Sequence, residues 1–131
     1  MITRIVGAFI LMLVATKSFA GYDVIFCTNF DSLGHCKESA DEFKWTGEKM
    51  KLHMIVLNKD GLNTSKISFK IFFLDDNAER ELMAELSTAV RGNWLYAVKE
   101  AIFFKPGRYK VDVYNAKNEV IANSFITITD R

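Results

Sequence analysis

Apolar and polar residues alternate with a period of two through most of this chain, and that pattern restricts it to a β fold. Successive side chains of a strand point to opposite faces, so sustained alternation marks a strand with one buried side. Tyr22 to Thr28 sets Tyr22, Val24 and Phe26 against Asp23, Ile25 and Cys27. Met50 to Asn58 reads as a mostly buried strand, because Ile55 and Leu57 are apolar on the face that carries Lys51 and His53. Lys66 to Leu74 places Ile67, Phe69, Ile71 and Phe73 on one face, with Ser68 and Lys70 on the other. Asn93 to Lys105 puts Trp94, Tyr96, Val98, Ile102 and Phe104 in register. Tyr109 to Asn115 is the cleanest strand: Tyr109, Val111 and Val113 face in, while Lys110, Asp112 and Tyr114 face out.

Turn chemistry separates these runs. Asn29 to Gly47 is polar and turn-rich, Asn58-Lys59-Asp60-Gly61 carries the Asp-Gly pair of a hairpin, and Ala116 to Glu119 closes a hairpin into Val120 to Thr129. Asn77 to Val90 is ambiguous. Leu82, Met83, Leu86, Ala89 and Val90 lie at helical spacing with Asn77 as N-cap, yet Leu82, Ala84 and Leu86 also alternate like a strand. With 131 residues, 50% apolar and 25% charged, the chain holds one core and is too apolar for disorder.

The N-terminus has the layout of an export signal. Arg4 supplies a positive start, Ile5 to Ala15 is unbroken and apolar, and Ser18-Phe19-Ala20 offers small residues at the two positions a signal peptidase reads. An apolar run of about 11 residues is too short to span a bilayer, which needs about 20. Cleavage is expected after Ala20, leaving residues 21–131 as a single β-sandwich domain in a secreted or periplasmic location, with no membrane span in the mature chain. The formal net charge of +1, with both signs interspersed, excludes a dominant nucleic-acid partner.

Export makes the cysteines readable. Cys27 and Cys36 are the only pair, and an oxidising compartment favours joining them. Closing a loop of about ten residues contributes roughly 2.7 kcal/mol on the chain-entropy model. The alternative is a metal or redox site in which His35 and Asp31 join the cysteines. Redox pairs usually sit about two residues apart, however, and His53 is isolated in an apolar strand. No serine sits in a Gly-x-Ser-x-Gly elbow, the glycines are scattered rather than clustered around phosphate, and the loop at Asp60 lacks the acids of a calcium site. No catalytic constellation and no cofactor are expected.

Aromatic residues make 13% of the chain. Trp94 and Tyr96 share a strand face, where they fill the core or form an exposed platform for a ligand. Trp45, in the polar first loop region, is the third candidate contact residue. Asn63-Thr64-Ser65 has the form of an N-glycosylation acceptor.

The segment Phe104-Lys105-Pro106-Gly107-Arg108-Tyr109-Lys110-Val111 resembles the turn-plus-strand of immunoglobulin-like and fibronectin type III-like domains. In those domains a Pro-Gly turn feeds a strand whose first aromatic is a tyrosine that ties the corner down. Pro106 fixes φ, Gly107 permits a positive φ, and Tyr109 can bury its ring while its hydroxyl meets a backbone partner. The resemblance extends over about residues 93–129 and implies an all-β, antiparallel two-sheet sandwich, with or without a short helix near 77–90. Cys27 and Cys36 depart from the antibody pattern, being too close to bridge two sheets across a core tryptophan. Architecture alone does not specify activity.

The leading expectation is a non-enzymatic module that binds another exported protein or an extracellular ligand. A small metal protein or enzyme built on His35, Asp31 and the Cys27/Cys36 region is the alternative. A secreted peptidase inhibitor on the same scaffold is a third reading, although the Asn-Pro-Thr-Thr-Gly-Tyr loop of one such family is absent.

Overall fold

The computed structural model describes residues 21–30, 36–74 and 80–130. The expected export signal, Asp31, His35, Asn77 and Arg131 lie outside the described residues. Among the described residues, nine strands run in the order β1 (Asp23–Phe30), β2 (Cys36–Ser39), β3 (Glu42–Lys44), β4 (Met50–Leu57), β5 (Lys66–Leu74), β6 (Arg80–Ala89), β7 (Tyr96–Phe103), β8 (Gly107–Tyr114) and β9 (Val120–Thr129). They form a four-stranded sheet, β2-β1-β4-β7, and a five-stranded sheet, β3-β9-β8-β5-β6.

The core lies between the sheets. The first contributes Phe26, Leu52, Met54, Val56, Ala97, Ala101 and Phe103; the second contributes Phe69, Ile71, Tyr109, Val111, Val113, Ile126 and Ile128. Each set comes from alternate positions of its strands, so burial follows the pleat.

Two elements differ from expectation. Residues 80–89 are strand and not helix: β6 pairs along β5 from Lys66↔Ala89 to Leu74↔Arg80. The pairing shifts so that Ile71 meets Ala84 and Phe72 meets Leu82, leaving Met83 as an extra residue. A bulge of this kind flips the phase on one side of it. Leu82, Met83 and Leu86 therefore mimic helical spacing. The second difference is β3, which pairs parallel to β9 through Glu42↔Thr127 and Lys44↔Thr129, so the sandwich is antiparallel at every pairing except this one.

The Asp60-Gly61 turn forms, but not as a hairpin. Asp60 N donates to Asn58 Oδ1 at 2.9 Å and Gly61 N donates to Asn58 O at 2.9 Å. The chain then crosses from β4 in one sheet to β5 in the other. The β8–β9 hairpin is as expected, with Asn118 at φ 63°.

The corner at Pro106 fixes the phase of β8. Gly107 has φ 144°, and Tyr109 is fully buried. Its hydroxyl donates to Lys105 O at 2.6 Å. The ring packs edge-on against Phe73 at 5.3 Å and Phe103 at 4.9 Å between centroids, joining both sheets at one point.

Candidate functional site

Strand β7 forms one edge of the first sheet, hydrogen-bonded on one side to β4. Register fixes which side chains reach solvent. Ala97, Ala101 and Phe103 point into the core, so Tyr96, Val98, Glu100 and Ile102 point out. Exposure is 45% for Trp94, 55% for Leu95, 47% for Tyr96, 41% for Ile102 and 66% for Phe104. Trp94 and Tyr96 therefore do not fill the core, and the apolar face of residues 93–105 is the outer one. The physical reason lies across the pleat. Leu52 and Val56 of β4 occupy the inner face, and the β7 residues directly beside them are the small Ala101 and Ala97.

The outer face is apolar beyond β7 itself. Cross-strand rows set Asp23 beside Leu57 and Tyr96, Ile25 beside Ile55 and Val98, and Cys27 beside His53 and Glu100. Ile55 is 4% exposed yet stands apart from the core between the sheets. Glu100 Oε2 lies 3.2 Å from His53 Nε2 and 3.8 Å from Lys51 Nζ, which ties β7 to β4 on this face. His53 Nδ1 is buried without a hydrogen-bond partner among the described residues.

The residues leading into β7 are held by backbone bonds. Leu62 N donates to Trp94 O at 2.8 Å, Asn58 N to Leu95 O at 2.9 Å, and Asn63 N to Gly92 O at 2.9 Å. Trp94 N donates to Arg91 O at 3.0 Å, closing the turn. The exposed aromatics thus stand on a pinned backbone, and a concavity is lined by Trp94, Leu95, Tyr96, Ala97 and Val98.

The outer face of the second sheet is different in kind. Its aromatics carry cations of the same chain: Arg80 over Phe72 at 4.5 Å, Lys70 over Tyr114 at 4.8 Å, and Arg108 over Phe125 at 5.4 Å. Asp112, nearly buried among them, lies 3.5 Å from Lys110 Nζ and 3.9 Å from Arg80. Cations of the same chain thus cover part of this face, whereas the β7 edge exposes Trp94, Leu95, Ile102 and Phe104.

Trp45 belongs to neither face. It is half-buried against the core and follows β3, at the edge of the second sheet far from β6, whereas β6 is the strand that lies beside β7. The structure therefore brings Trp94 and Tyr96 together and leaves Trp45 apart. It adds Leu95, Ile102 and Phe104 as exposed neighbours. The sequence signal for the outward phase of Ile102 and Phe104 is Glu100, which shares their parity and would be costly inside a core, while Lys99 on the inner parity points the other way.

A disulfide joins Cys27 to Cys36, with Cα atoms 5.8 Å apart, and links β1 to β2 within one sheet. Neither cysteine is a free thiol for a metal or for redox exchange. Among the described residues no cluster of His, Cys, Asp and Glu is arranged to hold a metal ion, and no helix is long and apolar enough to cross a membrane.

The sequence matches no protein-family model and no curated protein. Among solved structures, the chain is similar to an immunoglobulin-like protein from Pseudomonas aeruginosa, with a TM-score of 0.50 and 10% identity over 85% of this chain and 98% of that one. It also aligns with the CARDB domain of a Pyrococcus furiosus protein in complex with di-metal ions, at TM-score 0.43 and 12% identity over 86% of this chain and 98% of that one. A β-glucosidase 3B from Thermotoga neapolitana aligns at TM-score 0.43 and 12% identity over 83% of this chain, but over only 16% of the enzyme. The two-sheet topology, the tied tyrosine corner and the first of these similarities establish the fold of this chain as an immunoglobulin-like β-sandwich.

Proposed function

We propose that the protein is an exported, non-enzymatic binding module that presents the β7 edge to another protein. The observation that carries this reading is the group Trp94, Leu95, Tyr96, Ile102 and Phe104, all exposed on one backbone-pinned edge. Large contiguous apolar patches on a soluble domain mark interaction surfaces, and Trp and Tyr are the side chains most often found as binding anchors. The Arg4-to-Ala20 segment and the disulfide support export. N-terminal sequencing of the exported protein is expected to begin at Gly21; retention of Met1 would overturn the compartment.

Capture from the native extracellular or periplasmic fraction tests the surface. Three baits are compared: the wild-type protein, Trp94→Ser/Tyr96→Ser, and Leu82→Ser on the second sheet. Losing an aromatic anchor costs about 2 kcal/mol or more of binding. The expected result is a partner retained by wild type and Leu82→Ser and lost from the β7 variant, with thermal midpoints unchanged. Identical capture by wild type and the β7 variant would refute the assignment.

A further inference from the structure

The side chains at β7 mark a surface, and its backbone and charge pattern say what fits there. As an edge strand, β7 presents alternate N–H and C=O groups away from β4. Long apolar edges are normally blunted, and β7 carries one such device. Lys99 sits at mid-strand with the inner parity of Ala97, Ala101 and Phe103, opposite Met54 in the register with β4. It is half-buried and has no ion pair among the described residues. Glu100, the next residue, already faces His53 and Lys51 on the outer side.

This pattern disfavours a second copy of the chain. A two-fold axis that keeps the outer face continuous must pair residues of equal parity. The two registers that use most of β7 are centred on residue 99 or residue 100. The first sets Lys99 against Lys99 and the second sets Glu100 against Glu100. Like charges directly opposite one another destabilise a ladder. A different strand with a carboxylate opposite Lys99 meets no such conflict. It would supply the ion partner that Lys99 lacks while its backbone completes the open ladder.

We propose that β7 is the acceptor edge for an extended segment of another polypeptide, added as a further strand to the four-stranded sheet. A Glu or Asp of that segment sits opposite Lys99, and its apolar side chains lie along Tyr96, Val98 and Ile102. This inference rests on the β7 binding surface proposed above and specifies its occupant. Main-chain hydrogen bonds supply affinity in this mode, and side-chain positions supply specificity. The concavity at Trp94–Val98 accepts a side chain at the segment's end.

Synthetic peptides of alternating Val and Thr, identical except for Glu or Lys at the central Thr, test the proposal. Binding is read by Trp fluorescence and by amide hydrogen exchange of the purified protein. The Glu peptide is expected to bind about five-fold tighter than the Lys peptide, and Lys99→Glu is expected to reverse the preference. The alternate β7 amides that point away from β4 should gain protection in the complex, while those already bonded to β4 change little. Equal affinities, or a preference that Lys99→Glu leaves unchanged, would overturn the carboxylate assignment. Fluorescence change without added β7 protection would overturn strand addition while leaving the apolar surface standing. Absence of any peptide binding, with Trp94→Ser/Tyr96→Ser still losing its natural partner, would do the same. A β7-mediated dimer in solution would overturn the argument against self-pairing.

Discussion

Replacing Tyr109 with phenylalanine removes one oxygen from the point where the two sheets meet. The hydroxyl donates to Lys105 O at 2.6 Å, and the ring packs edge-on against Phe73 and Phe103. Phenylalanine keeps both ring contacts, so the loss is confined to the hydrogen bond and its abandoned acceptor. A buried acceptor left unpaired costs about 1–3 kcal/mol. Lys105 is exposed, so water can reach its carbonyl in part, which sets the expected loss at about 1–2 kcal/mol. Tyr114 provides the control on the same strand. It is half-buried beneath Lys70 and lies on the opposite face, so Tyr114→Phe is expected to cost under about 0.5 kcal/mol. Urea unfolding followed by Trp fluorescence reads both variants, and an unchanged m-value shows that only stability moved. Equal losses at the two positions, or no loss at Tyr109, would refute the corner as the feature that fixes β8.

Other consequences concern the same corner and the disulfide. Gly107→Ala places a Cβ 2.5 Å from Phe73 Cε1 at a φ of 144°, so strain and overpacking together should cost about 2–4 kcal/mol; a neutral result in the urea assay would contradict the turn geometry. Burial raises the pKa of the Tyr109 hydroxyl. The neutral phenol is then the form the fold favours, so its contribution is complete below the free-tyrosine value of about 10 and is lost as pH rises through the higher folded value. Alkaline titration of unfolding should show this loss in wild type and not in Tyr109→Phe. Cys27→Ser should lower stability by about 2–4 kcal/mol, and two alkylatable thiols in freshly exported, denatured wild type would refute the bridge.

Legibility from sequence followed how much of each strand's environment is local. The span of β5 from Lys66 to Leu74 and the inward set Tyr109, Val111 and Val113 are plain in the alternation, because both lie mid-sheet with one face on the core. β6 was ambiguous because the bulge at Met83 breaks its phase, and a bulge depends on the partner strand. β3 was not foreseen. Its three residues pair with β9 about 85 positions away, and nothing local marks a parallel edge strand. The face of Trp94 and Tyr96 stayed open for a related reason: they are more apolar than Ala97 and Ala101, yet the alanines go inside, beside Val56 and Leu52 of the neighbouring strand. The exposed aromatic edge was therefore visible as residues and hidden as a surface. The Cys27–Cys36 pairing was readable because these are the only two cysteines.

The outward phase of β7 underlies both the binding surface and its occupant, and solvent paramagnetic relaxation measures it. A neutral gadolinium chelate added to the isotope-labelled protein broadens signals in proportion to their access to water. The Trp94 indole, the Tyr96 ring and the Ile102 methyl groups should broaden strongly, while the Ala97 and Ala101 methyl groups, 5% and 2% exposed, stay sharp. Sharp signals from Trp94 and Tyr96 beside broadened alanine methyls would place the aromatics in the core and remove the surface from which the function is drawn.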